Sequence, residues 1–224
     1  TEQLIAAGRL HEQYPGTYIQ THLSENKDEI DSTLSLCPDC QDYLEVYERA
    51  RLVTDRSIFG HCIHLSDSEC RRLVVAHCPT SNLFLGSGLF DMQQANRVGM
   101  QTVLATDIGA GTSFSMLRTM GEAYKVQQLG GYPMSVFESL YKCTLGAAKA
   151  LHLDDEIGCF GKGRKADFIV MDYAATPSQQ VRMDYLKRHG KWTLENKLFG
   201  LQTSGDERNI QATYVMGKRV FTLA

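Results

Sequence analysis

The sequence has no apolar run near the roughly 18–20 residues that a bilayer-crossing helix needs, and nothing at its start reads as a secretory signal peptide. It also lacks an excess of either charge: 23 basic residues against 26 acidic ones give a formal net charge of −3. That balance excludes the strongly basic surface of a nucleic-acid binder. Membrane and nucleic acid therefore drop out as expected partners, and the expected location is cytoplasmic. Proline is sparse at 5 residues, tryptophan occurs once, and there is no internal repeat or low-complexity tract. With 43% hydrophobic and 22% charged residues over 224 positions, the chain can bury a sizeable core and is not of the disordered class. An initiator methionine is missing as well. The chain opens at Thr1 in a helix-like stretch, Glu2-Gln3-Leu4-Ile5-Ala6-Ala7, and so reads as the middle of something longer.

What is present is less sparse. The 7 cysteines are an odd number in a chain too long for a small secreted scaffold, so reduced thiols are expected. Cys37-Pro-Asp-Cys40 is the one close pair. A four-cysteine zinc site needs a second pair, and a redox dithiol opens a helix after a buried strand. This pair lies in a polar loop and reads as a surface turn.

Short apolar runs alternate with helical patterns over the first part of the chain. Strands are expected over 17–23, 57–63, 73–78 and 101–106, with helices over 27–36, from Ser66, near 92–96, over 115–129 and over 135–151. Ser66 followed by Glu69 has the spacing of a capping box. Strand–helix alternation at this spacing implies parallel β/α units. Past Gly158 the texture changes: a strand is expected over 167–173, a polar irregular segment over 177–208, and a closing hairpin around Gly217-Lys218. The expected division is 1–155 for the β/α units and 156–224 for a smaller all-β piece.

Parallel β/α proteins carry their chemistry at the C-terminal ends of the strands. The four expected strands end at His22, His61, His77 and Asp107. A lone histidine at a strand end is more often a hydrogen-bonded structural residue. Imidazole and carboxylate repeated at equivalent ends are the donors of a hydrolytic Zn²⁺ or Fe²⁺ site, which lowers the pKa of water toward neutrality. Glu25, three residues past His22, is a candidate to carry protons beside such a site. His11, His64, His152 and His189 lie in loops or on polar faces and read as structural. A phosphatase loop built on His77-Cys78 needs an arginine six residues past the cysteine; Phe84 stands there and excludes it. Gly109-Ala110-Gly111 lacks the spacing of a phosphate cradle. Met116 and Met120, one helical turn apart with Leu117 and Tyr124 nearby, read as core.

Four runs, THLSENKDEI from Thr21, GHCIHLSDSE from Gly60, CPTSNLFLGSGLF from Cys78 and ATDIGAGTSFSML from Ala105, closely resemble the guanine deaminases of the metal-dependent amidohydrolase superfamily. So do the runs DEIGCFGKGRKADFIVMD from Asp155 and GDERNIQATYVMGKRVF from Gly205. The Asp-Ile-Gly-Ala-Gly run separates that family from neighbouring chlorohydrolase-like enzymes. The resemblance covers essentially the whole chain but only the C-terminal half of the family's enzyme. It implies an α/β fold: strands five to eight of a (β/α)₈ TIM-like barrel, plus part of a small β-sandwich. It implies hydrolytic deamination of guanine to xanthine and ammonia in purine metabolism, with zinc as cofactor (iron uses the same ligands) and a homodimeric enzyme. His22 and Asp107 are the implied metal ligands. Glu25 protonates the purine ring nitrogen, Asp107 shuttles the proton of the attacking water, and His61 orients that water. His22, Leu23, Ser24, Glu25 and Asp107 line the guanine pocket, while His77 is structural or supports the site from behind. The family's His-x-His pair and guanine-binding arginine have no counterpart in this sequence, so residues 1–224 alone are expected to be inactive. Rival readings are a deaminase or chlorohydrolase acting on a related heterocycle, a non-catalytic remnant, and a redox protein working through Cys37 and Cys40.

Overall fold

The computed structural model describes residues 2–223. Helix α1 (Glu2–Gln13) leads into β1 (Ile19–Leu23), α2 (Lys27–Leu36), α3 (Tyr43–Arg49), β2 (Ser57–His61), α4 (Asp67–Cys70) and β3 (Val74–His77). There follow α5 (Pro79–Leu85), α6 (Met92–Val98), β4 (Gln101–Leu104), α7 (Met116–Leu129), α8 (Val136–Cys143) and α9 (Leu145–Ala150). The last part holds β5 (Phe168–Met171), α10 (Pro177–Arg188), α11 (Leu194–Ser204), β6 (Ile210–Val215) and β7 (Lys218–Thr222).

Strands β1 to β4 form one parallel sheet in sequential order, with His22 level with Gly60 and His77 level with Leu104. All four C-terminal ends therefore open on the same side. Strands β5, β6 and β7 form a separate antiparallel sheet in that order. Alternation along the parallel strands sorts residues onto two faces. Phe59, Val75 and Leu104 pack into the main core under the helices. Ile58, Val74, Ala76 and Val103 share the opposite face with Ala147 and Ala150 of α9.

Helices α2 and α4 start on capping boxes, of which the one at Ser66 was expected. Asn26 accepts the Glu29 N–H at 2.9 Å while the Glu29 carboxylate returns to the Asn26 N–H, so a reciprocal box starts α2. Ser66 and Glu69 close the same box at α4. Met120, Ala123 and Val126 of α7 are buried in the core, and Met116 packs against it.

Two expectations need correction. The helix expected over 135–151 is broken at Thr144, whose φ of −130° and ψ of −104° leave the helical region between α8 and α9. The segment expected to be irregular over 177–208 holds α10 and α11, so the stretch 156–224 is not all-β. Helix α10 lacks an apolar stripe because Val181 and Tyr185 are exposed and its buried positions are Gln179 and Leu186. It forms because Thr176 and Gln179 make a capping box ahead of Pro177 at the first helical position. Polar packing then holds it: the Gln179 amide donates to the Ser204 carbonyl at 2.7 Å, and the buried Asn209 amide donates to Gln179 at 3.0 Å and to the Asp172 carbonyl at 2.7 Å. Helix α11 packs against α7 of the β/α part.

Candidate active site

The strand ends leave regular geometry abruptly. Ser24, His61, Cys62 and Asp107 have φ of 49°, 67°, 52° and 49°, a left-handed backbone that costs a non-glycine residue about 1 kcal/mol or more. The surrounding structure fixes these turns. The Leu23 carbonyl accepts the Cys62 N–H at 2.9 Å, and the Ser24 carbonyl accepts the N–H groups of Ile63 and His64. By strand alternation His61 belongs with Phe59 on the helix-facing side. The left-handed turn breaks that alternation and brings its ring to the open strand ends.

His61 is the centre of the cluster and is 1% exposed. Its Nε2 lies 3.7 Å from a Glu25 oxygen and 3.8 Å from an Asp107 oxygen. The His22 ring meets it edge to face, with centroids 4.8 Å apart. Gly60 is level with His22, and a Cβ there would stand in ordinary contact with the ring, 3.4 Å from His22 Cδ2. On the far side, His61 Nδ1 lies 2.8 Å from Asn82 Oδ1. Asn82 and Ser81 are buried near the N-terminus of α5, where Pro79 stands at a first-turn position. Glu25 is held twice: Ser87 Oγ donates to its carboxylate at 2.9 Å, and its own N–H donates to Glu29 at 2.8 Å.

Asp107 rests on a tight turn. The Gly111 N–H returns to the Asp107 carbonyl, and Thr80 Oγ donates to the Thr106 carbonyl at 3.2 Å. A Cβ on Gly111 would lie 1.8 Å from the Thr106 oxygen, so only glycine closes this loop.

Donor atoms of His22, Glu25 and His61 lie within 4.8 Å of one another, and so do those of His61, Cys78 and Asp107. Imidazole nitrogens with carboxylate oxygens at an exposed strand end are a donor set that suits zinc or ferrous iron. Cys78 is the poorest member: burial, with the Asp107 charge adding to it, pushes its thiol up to about 12, and the thiol points to the Ala76 carbonyl.

The structure thus brings His22, Glu25, His61 and Asp107 together. It does not bring the Leu23 side chain, which is fully buried in the main core, so Leu23 offers this cluster only backbone. Ser24 is buried beside it, and its hydroxyl has no hydrogen-bond partner among the described residues. His77 faces away: it stacks on Phe90 with centroids 4.6 Å apart, and burial holds its pKa down to about 3. Strand parity puts it with Val75 under the helices, which fits the structural reading. Cys37 and Cys40 are free, half-buried thiols in a turn, and desolvation raises Cys40, the opposite of an activated dithiol. Asn82 and Ser87 carry no site motif of their own in the sequence. The only available signals were the Cys-Pro start and the Gly86 stop of α5.

Residues 1–220 match the amidohydrolase family. The guanine deaminase of Escherichia coli K12 is 49% identical over 225 residues, covering 98% of this chain and 50% of that protein. The mouse guanine deaminase is 33% identical over 216 residues, covering 91% of this chain and 47% of that protein. Among solved structures, E. coli guanine deaminase superposes with a TM-score of 0.94 at 49% identity, over 100% of this chain and 52% of that one. C. acetobutylicum guanine deaminase with bound guanine in its active site gives a TM-score of 0.83 at 30% identity, over 98% of this chain and 52% of that one. The chain spans about half the length of the curated relatives it matches. No described helix is long and apolar enough to cross a membrane. Matched along nearly all of its length, the chain belongs to the amidohydrolase family.

Proposed function

We propose that this chain is the part of a zinc-dependent guanine deaminase that supplies its proton-transfer groups, converting guanine and water to xanthine and ammonia. The observation that carries the reading is that His61 Nε2 lies within 4 Å of both the Glu25 and the Asp107 carboxylate, supported by likeness to guanine deaminases including one with guanine bound. His22 and Asp107 would hold the ion. When bound, zinc supplies a water acidic enough to act as nucleophile near neutral pH. Asp107 then takes the proton of the attacking water and passes it to the leaving amine. Glu25 protonates the purine ring nitrogen, offsetting the negative charge that grows there. His61, locked from behind by Asn82, orients the water. His22, Ser24 and the backbone of Leu23 border the purine.

In this reading 1–155 corresponds to strands five to eight of a (β/α)₈ barrel, and 156–224 to a β-sandwich segment carrying α10 and α11. The enzyme works as a cytoplasmic homodimer in purine salvage or breakdown. The test is ammonia release by the fully encoded polypeptide from guanine, adenosine, cytosine and a chlorotriazine. Selective turnover of guanine supports the reading. Turnover of another ring alone moves the assignment within the family, and release from none of them overturns it.

A further inference from the structure

Glu25, in the loop past β1, and His61, the last residue of β2, are both gripped by one short segment. Asn82, 1% exposed, accepts from His61 Nδ1 at 2.8 Å, which leaves Nε2 as the free face of the ring toward Glu25 and Asp107. Ser87, just past the left-handed Gly86 that ends α5, donates its hydroxyl to Glu25 at 2.9 Å. The two grips are tied together, because the Ser87 N–H donates to the Asn82 carbonyl at 2.9 Å. His64 adds a contact of 3.3 Å between its Nε2 and the Ser87 carbonyl. The segment itself is anchored: Pro79, Thr80, Ser81 and Asn82 are all buried.

We propose that α5 and its closing turn form a positioning bracket, in which Asn82 sets the tautomer and tilt of His61 while Ser87 sets the rotamer of Glu25. The physical need is plain. A glutamate has three side-chain torsions, and a neutral imidazole two tautomers, of which one offers a bare Nε2. A hydrogen bond to each from one rigid segment selects a single arrangement and fixes the spacing between the groups. Neither Asn82 nor Ser87 lies in the reactive cluster itself, so both act through the groups they hold. This inference rests on the deaminase reading above for the roles of Glu25 and His61, but its first test does not need turnover.

That test is the ¹⁵N spectrum of the His61 ring in the fully encoded, zinc-loaded polypeptide. The bracket predicts a protonated Nδ1 and a bare Nε2, with Asn82→Ala giving a mixture of tautomers. The second test is kinetics with guanine. Ser87→Ala is expected to lower kcat about tenfold, the order of one hydrogen bond to a charged group, with KM within about twofold and zinc content unchanged. Ser87→Thr keeps the hydroxyl and regains most of the loss. A proton on Nε2 in the unsubstituted protein overturns the bracket, as does equal loss in Ser87→Ala and Ser87→Thr, or an unchanged kcat in Ser87→Ala. If Asn82→Ala does not fold, the spectrum of the unsubstituted protein and the Ser87 pair still decide. Absence of any ammonia from guanine defeats the deaminase reading and leaves the tautomer result to judge the bracket.

Discussion

Glu25 and His61 face each other across the ends of adjacent strands, with Glu25 Oε2 3.7 Å from His61 Nε2. The carboxylate also receives Ser87 Oγ at 2.9 Å, so its position is fixed even before anything binds. Replacing it by the isosteric amide keeps shape and removes the proton. Glu25→Gln in the fully encoded polypeptide is expected to retain zinc and lose guanine turnover by about a hundredfold or more. Metal analysis beside steady-state rates checks this. A variant near the unsubstituted rate would remove Glu25 from the mechanism.

The Asp107 turn depends on an absent side chain. With a Cβ on Gly111 1.8 Å from the Thr106 oxygen, Gly111→Ala must displace the backbone that carries Asp107. The expected loss is about 2 kcal/mol or more of stability, together with weakened zinc binding. Urea unfolding and zinc titration of the same variant measure the two effects.

His77 makes acid lability specific. Its pKa is about 6.5 in the unfolded chain and about 3 in its buried pocket against Phe90. Above pH 6.5 both states are neutral there and the residue contributes no pH dependence. As pH falls below 6.5 the unfolded chain takes up a proton that the folded chain refuses. Stability then declines by up to about 1.4 kcal/mol per pH unit until the folded pKa is reached. Urea midpoints between pH 7 and pH 4 should fall less steeply for His77→Leu than for the unsubstituted protein. Parallel curves would show that His77 is not the proton acceptor.

Asn209 joins three segments from a fully buried position, donating to the Asp172 carbonyl and to Gln179 while its oxygen accepts the Asp206 N–H at 3.0 Å. Asn209→Ala strips the buried Asp206 N–H and the Asp172 carbonyl just past β5 of this partner, and removes one of the bonds that hold Gln179 of α10. The expected destabilisation is about 2–3 kcal/mol, read from the urea midpoint.

Much of this was legible in the residues, and the exceptions have physical causes. The four parallel strands follow from short apolar runs between helical patterns, and Ser66 marks its helix by local capping chemistry. Helix α10 escaped because its buried positions, Gln179 and Leu186, make no apolar stripe, although Thr176, Pro177 and Gln179 spell a helix start. The break at Thr144 was not legible, because the apolar spacing runs through it. At the site, types and strand ends pointed to His22, His61 and Asp107, but local sequence could not tell which face a residue takes. His77 keeps strand parity and turns inward, whereas His61 escapes parity through its positive φ. The grips of Asn82 and Ser87 were invisible for the same reason: they are contacts between segments distant along the chain.

Hydrolytic deamination is tested by guanine turnover of the fully encoded, zinc-loaded polypeptide in ¹⁸O-enriched water. Attack of water on guanine gives one xanthine carrying one new ¹⁸O, at the carbon that bore the amino group, for each ammonia released. Ammonia without incorporated ¹⁸O, or no xanthine at all, would contradict it.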